Sequence, residues 1–136
     1  MTTVSKIIIK SADKKYEWSQ TDETVVVYVT IRNVLLKNID VFFSDNLLKI
    51  NAATIKYFLA IDFEEFIDHK NPKNKVQLID GRLNVLLYKK QAGIPWTNLE
   101  VQGLSKQQIM DRRNQSVQRY HELEEKLEKE AKSVKY

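Results

Sequence analysis

Alternation of apolar and polar residues with a period of two is the feature of this chain that most restricts its fold. Residues 25–32 place valine or isoleucine at every odd position, and the even positions become increasingly polar. Residues 55–63 also place an apolar or aromatic residue at every odd position. Successive side chains of a β-strand point to opposite faces of a sheet, so this period predicts strands with one buried face.

A hairpin is predicted where Asp80-Gly81 separates residues 76–79 from residues 82–88. An Asp-Gly pair between apolar segments favours a type I′ turn, because both central residues of that turn need a positive φ. The other apolar segments of the first hundred or so residues are also short, and brief turns separate them. We therefore predict a mainly β fold, an antiparallel β-sandwich of about seven strands, followed by a long C-terminal α-helix.

The helix is predicted to begin just after Gly103, where the residue pattern changes. Ser105 and Gln108 have the spacing of a capping box, in which each side chain bonds the backbone N–H of the other residue. Beyond Tyr120 the apolar residues become sparse, so this part of the helix either projects into solvent or meets a partner helix. The sequence does not decide between a helix that docks on the sandwich and one that projects from it. The expected organisation is a lead segment at 1–13, a sandwich domain at 14–102 and a charged helix at 103–136.

Composition restricts the class of function. The 136 residues contain no cysteine, which excludes disulfides, thiol catalysis and cysteine-based zinc sites. The net charge of +4 is divided evenly between the first 103 residues and the rest, whereas nucleic-acid binders gather their basic charge in one place. The N-terminal apolar run is too short for a membrane span. We expect a cytoplasmic protein that binds neither nucleic acid nor membrane.

The candidates for catalytic or metal chemistry are weak. His69 and His121 are too far apart in sequence to form a local metal-binding pair, and both are expected to be solvated. The acidic segment 62–68 could hold a cation or supply an acid–base pair. However, Asp62 and Glu64 alternate with apolar residues, which predicts a solvated sheet face instead. We predict a binding module without catalytic residues, metal or cofactor.

The segment "YEWSQT" raises a separate question, because Tyr16 and Trp18 are two residues apart and share one face of an extended strand. One interpretation places both rings in the core of a first strand. The other places one ring at the surface, where a partner could contact it.

These segments, taken in order, resemble the CS domain, a co-chaperone β-sandwich that shares its architecture with the small heat-shock proteins. The resemblance covers about residues 14–101 and is carried by "YEWSQT", "VVVYVTI", "VFFSDNLLKIN", "IDGRLNVLLYKK" and "WTNL". Within the family, "LLYKKQAGIPWTNLEVQG" and "RRNQS" are similar to the N-terminal CS domain of axonemal dynein assembly factors of the dyslexia-susceptibility-candidate type.

The resemblance implies a non-catalytic co-chaperone-type domain that acts in the chaperone-assisted assembly of axonemal dynein for motile cilia. The implied partners are the ninety-kilodalton heat-shock chaperone and other dynein assembly factors. The implied protein is a monomer in the cytoplasm or near the ciliary base. The alternatives are a general chaperone cofactor of the twenty-three-kilodalton or nuclear-distribution type and a holdase like the small heat-shock proteins.

The resemblance also implies site residues. The implied partner-binding residues, expected on one exposed patch, are Tyr16, Arg82 and Lys89. The expected structural core residues are Trp18, Trp96 and Leu99.

Overall fold

The computed structural model describes residues 5–10 and 16–133. Those residues form eight β-strands and one long α-helix, α1. Short 3₁₀ turns occupy residues 36–38 and 53–55. The elements are β1 (Ser5–Lys10), β2 (Tyr16–Gln20), β3 (Thr24–Thr30), β4 (Asp40–Ser44), β5 (Leu47–Ala52), β6 (Tyr57–Asp62), β7 (Lys75–Ile79), β8 (Arg82–Tyr88) and α1 (Lys106–Ser133).

The strands form two antiparallel sheets, which confirms the predicted β-sandwich followed by a long helix. The larger sheet has the order β1-β2-β3-β8-β7, and the smaller has the order β4-β5-β6. Seven strands, β2 to β8, lie in the segment predicted for the sandwich. The eighth, β1, lies in the predicted lead segment and pairs antiparallel with β2. The other residues of that segment lie outside the described residues.

The core lies between the two sheets. In the larger sheet, β3 and β8 pair so that their inward residues face each other and are fully buried. On the opposite side of the core, the inward residues of β5 and β6 belong to the same buried cluster. The central residues of this cluster are Val25, Val27, Val29, Leu83, Val85 and Leu87 from the larger sheet, with Leu48, Ile50 and Ile61 from the smaller one.

The β7–β8 hairpin has the predicted turn. Asp80 and Gly81 have φ angles of 51° and 76°, as a type I′ turn requires. Ile79 pairs with Arg82 directly across the turn. The register of β8 is therefore set locally, and its odd-numbered residues point into the core.

Trp96 lies in the loop that follows β8. Its ring packs edge-on against Phe63, with centroids 5.6 Å apart. Its backbone N–H donates to Gln20 Oε1 at 2.8 Å, and its carbonyl accepts a hydrogen bond from Gln20 Nε2 at 2.9 Å. The structure thus places Trp96 in the core together with Trp18 and Leu99, each at most 4% exposed.

Gly81→Val should destabilise the domain. A residue with a Cβ loses about 1–2 kcal/mol in the left-handed region, and a β-branched residue is least tolerant of it. Urea unfolding followed by circular dichroism should show the loss. Gly81→Asn is the matched control, because asparagine adopts positive φ readily, and it should lose less. Equal stability of Gly81→Val and wild type would contradict the turn assignment.

Trp96→Ala should cost about 3–5 kcal/mol, because it removes a large buried ring and leaves a cavity beside Phe63. The free energy of unfolding in urea measures this cost. A midpoint that matches the wild-type midpoint would show that the ring is not part of the core.

Candidate functional site

Arg82 lies on the outer face of the larger sheet, at the start of β8. Its guanidinium carbon is 4.1 Å from the ring centroid of Tyr28 on the neighbouring strand β3. Its Nη2 atom is 3.8 Å from a carboxylate oxygen of Glu17 on β2. The side chain of Arg82 is 42% exposed to solvent. The three strands thus bring a half-exposed arginine, an aromatic ring and a carboxylate together on one solvent-facing surface.

Tyr28 is held in place by a neighbour on the same face of the sheet. Its hydroxyl lies 2.9 Å from the Oγ atom of Ser19, which is buried on β2. The alternation along β3 directs Val27 and Val29 inward and therefore directs Tyr28 outward. Tyr28 thus presents a fixed ring on which Arg82 stacks. We name the group of Glu17, Tyr28 and Arg82 the outer-face cluster.

The structure contradicts the expected exposure of Tyr16, which is only 6% exposed. Tyr16 shares the inward direction of Trp18, so its ring joins the core. Its hydroxyl donates to Glu100 Oε2 at 2.6 Å. The burial of both aromatic residues follows from the strand period that they share.

Lys89 is also buried rather than exposed, at 6%. Its ammonium group donates to Gln20 Oε1 at 2.9 Å and to the carbonyl of Ile94 at 3.0 Å. Burial lowers the pKa of Lys89, an effect that the nearby Asp22 carboxylate partly opposes. Lys89 continues the inward parity of β8 one residue past the strand. The predicted exposed patch of Tyr16, Arg82 and Lys89 is therefore wrong, and only Arg82 is open to a partner.

The helix begins as predicted. The Ser105 N–H donates to Gln108 Oε1 at 2.9 Å, and the Gln108 N–H donates to Ser105 Oγ at 3.1 Å. This reciprocal pair confirms the capping box.

The first turns of α1 dock on the end of the smaller sheet. Arg113 donates two hydrogen bonds to the carboxylate of Asp62, at 2.8 and 2.7 Å. Arg112 donates to the carbonyl of Phe63 at 3.0 Å. The expectation that Asp62 lies on a solvated face is wrong, since Asp62 is 5% exposed. The helix covers it and supplies its counter-charge.

A second polar contact lies two turns further along α1. Arg119 donates to both carboxylate oxygens of Asp45, at 2.6 and 2.9 Å. Ser116 is fully buried, and its hydroxyl donates to Asp45 Oδ1 at 2.6 Å. Partial burial works to raise the pKa of Asp45, but the hydrogen bonds from Arg119 and Ser116 outweigh it and hold that pKa below its usual value.

Aromatic and charged contacts extend the docked part of the helix. The Tyr120 ring packs against Phe42, with centroids 5.1 Å apart, and lies 5.4 Å from His69. His69 is therefore partly buried rather than solvated, and this burial lowers its pKa. Lys70 forms an ion pair with Glu124. The helix thus docks as far as Glu124, and the side chains of residues 125–131 are exposed.

Sequence reasoning missed the residues that hold the helix. Apolar periodicity identifies docking faces, but this face is largely polar. The available signal was spacing, because Arg113 and Ser116 are three apart, as are Ser116 and Arg119, and such residues lie on neighbouring turns of one helix face.

Residues 5–10 and 16–133 contain neither a metal-binding cluster nor a membrane-spanning helix. That part of the chain holds no group of three or more histidine, aspartate or glutamate side chains placed to bind a metal ion. Its one long helix is not apolar enough to cross a membrane.

The fold and sequence together define the class of protein. Residues 14–104 match the family model of the SHQ1-like CS domain. The chain belongs to this family of CS domains.

Among curated proteins, the chain is similar to dynein axonemal assembly factor 4. The protein from Pan paniscus is 31% identical over an alignment of 106 residues, which covers 75% of this chain and 23% of that protein. The protein from Mus musculus is 27% identical over 120 residues, which are 88% of this chain and 27% of that protein. The chain thus spans about a quarter of the length of these relatives.

Three solved structures share the fold. The nuclear movement protein from E. cuniculi GB-M1 has a TM-score of 0.53 at 13% identity, covering 65% of this chain and 100% of that one. The structure of the CS-b5R domains of human Ncb5or has a TM-score of 0.52 at 20% identity, and the match covers 63% of this chain and 25% of that one. Heat shock protein 16.0 from Schizosaccharomyces pombe has a TM-score of 0.50 at 16% identity, and the match covers 64% of this chain and 96% of that one. This likeness is one of fold alone.

Asp45→Asn should weaken helix docking by about 1–2 kcal/mol at neutral pH, because it removes charge-assisted hydrogen bonds to a partly exposed arginine. The pKa of Asp45 is depressed in the folded state. The stabilisation is therefore present above the ordinary aspartate pKa of about 3.9 and is lost as the pH falls through the folded pKa. Hydrogen exchange of the α1 amides measures the docking.

The difference between wild type and Asp45→Asn should be constant from about pH 7 to pH 5 and should disappear at lower pH. Asp80→Asn is the matched control, since Asp80 forms no ion pair with any described residue. A difference that persists unchanged at low pH would contradict the role of the Asp45 carboxylate.

Proposed function

We propose that this chain is a non-catalytic co-chaperone-type domain that acts in the chaperone-assisted assembly of axonemal dynein. Its membership of the CS-domain family supports a protein-binding role. Its similarity to dynein axonemal assembly factor 4 supports the dynein pathway. The proposed partners are the ninety-kilodalton heat-shock chaperone and other dynein assembly factors, and the proposed location is the cytoplasm.

One observation carries the choice of binding surface: Arg82 is stacked on Tyr28 and remains half-exposed. Arginine and tyrosine are enriched among the residues that contribute most to binding energy at protein interfaces. Here both are already ordered, so a partner that binds them would spend little free energy on fixing their rotamers. The outer-face cluster is therefore the proposed chaperone contact.

The roles of Tyr16 and Lys89 change in this proposal. Both are buried and hydrogen-bonded, so neither offers a surface for a partner. Lys89 fixes the loop that carries Ile94, and Tyr16 anchors the start of β2. They support the fold of the binding domain, and Arg82 and Tyr28 form its contact.

The proposal can be tested by titrating the domain with the purified chaperone in a calorimeter. Arg82→Glu and Tyr28→Ala should each weaken binding by about tenfold or more, which corresponds to about 1.4 kcal/mol. Lys49→Glu, which reverses a charge on the smaller sheet, is the control and should bind as wild type does. Circular dichroism should be unchanged for all three variants.

The dynein role needs a second readout. Tagged domain in a ciliated-cell extract should capture axonemal dynein chains together with the chaperone, as measured by mass spectrometry, and Arg82→Glu should lose both. Binding of both outer-face variants at wild-type strength would reject this surface. Suppression of client aggregation without any chaperone binding would instead favour a holdase.

A further inference from the structure

His69, in the loop between β6 and β7, packs against the docked part of α1 and has a polar atom without a partner. Its ring centroid is 5.4 Å from that of Tyr120, and the two rings are tilted by 36°. The Nε2 atom of His69 is buried and makes no hydrogen bond within the described part of the chain. Buried polar atoms of folded proteins are nearly always hydrogen-bonded, so this nitrogen needs an explanation.

The missing partner matters most when the imidazole takes up a proton. A neutral imidazole has an N–H on one nitrogen and an acceptor on the other, whereas an imidazolium has an N–H on both. Protonated His69 would therefore hold a charged and buried N–H at Nε2 with no acceptor among the described residues. Leaving a buried donor unpaired costs free energy, and the cost is larger for a charged group. The docked structure thus favours the neutral ring.

The charges around His69 oppose one another. The surrounding charged and titratable groups are Asp45 from the β4–β5 turn, Asp68 and Lys70 from the loop of His69, Lys90 from the segment after β8, and Arg119, Tyr120 and Glu124 from α1. The two aspartates favour a proton on the imidazole, and the two lysines oppose it. Arg119 also donates two hydrogen bonds to Asp45 and offsets its charge. Burial therefore decides the balance and lowers the pKa of His69.

The environment of His69 depends on the docked helix. Tyr120 contacts Phe42 on β4, with centroids 5.1 Å apart, as well as the His69 ring. Tyr120 thus lies between the smaller sheet and the loop of His69. If α1 leaves the sandwich, Tyr120 leaves with it and the imidazole becomes more accessible to water. The pKa of His69 then returns towards the ordinary histidine value of about 6.5.

We propose that His69 makes the docking of α1 sensitive to pH, and that protonation of its imidazole releases the helix. The undocked state binds the proton more tightly, so acidification shifts the equilibrium towards that state. Docking is unaffected well above about pH 6.5, weakens as the pH falls through about 6.5, and becomes constant below the folded pKa of His69. Release uncovers the Phe42 ring and the Asp45 carboxylate, so acidification changes the surface that the domain presents.

Hydrogen exchange of the α1 amides in the full chain measures the release. Exchange rates corrected for their intrinsic pH dependence report the opening equilibrium of the helix. In wild type, the opening constant should be unchanged from about pH 8 to about pH 7 and should rise between about pH 7 and about pH 5. The rise should not exceed about tenfold per pH unit, because a single proton is taken up.

Two variants remove the titrating group. His69→Phe keeps an aromatic ring against Tyr120, and His69→Gln keeps a polar side chain, but neither takes up a proton in this pH range. Both should lose the rise in the opening constant. His121→Gln is the matched control, because this second histidine also contacts Tyr120, with centroids 5.7 Å apart, yet is exposed. It should keep the wild-type response.

A nuclear magnetic resonance titration of the His69 ring gives a second readout that needs no change at His69. The midpoint should lie below about pH 6.5 in wild type and should move towards that value in Tyr120→Ala, where the imidazole is less covered. The proposal is overturned if the wild-type midpoint is not lowered or if acidification does not raise the opening constant. It is also overturned if both His69 variants respond as wild type does, or if His121→Gln loses the response.

Discussion

The pairing of β3 with β8 is the contact on which the rest of the sandwich depends. Val25, Val27 and Val29 face the inward residues of β8, and all of them are fully buried. Burying one such side chain contributes about 1.5–3 kcal/mol, so this central pair is a major source of stability. The same register directs the even-numbered residues outward. Tyr28 and Arg82 therefore meet on the outer face as a consequence of how the core packs.

The helix is attached by a different kind of interaction. Two arginine–aspartate pairs, Arg113 with Asp62 and Arg119 with Asp45, hold it to the smaller sheet, and Ser116 is buried between them. The Arg113–Asp62 pair needs matched geometry, because Asp62 is buried and a buried charge that loses its partner is strongly destabilising. These contacts therefore fix which residues of the helix lie against the sandwich, although the attachment buries few apolar residues.

The β7–β8 turn also fixes the position of the proposed outer-face contact. Arg82 directly follows Gly81 and pairs with Ile79 across the turn. A type I′ turn is short and has few accessible conformations, so the backbone that carries Arg82 is already fixed in the free domain.

The features that depend only on neighbouring residues could be predicted from the sequence. The strand period, the Asp80-Gly81 turn and the Ser105–Gln108 cap each rest on contacts within a few residues, and all three are present. The environment of Asp62 depends on long-range packing, because its partner Arg113 lies 51 residues away, and the burial of Tyr16 and Lys89 depends on such packing too. Periodicity states on which side of a strand a residue lies. It cannot state what covers that side, because the covering element comes from a distant part of the chain.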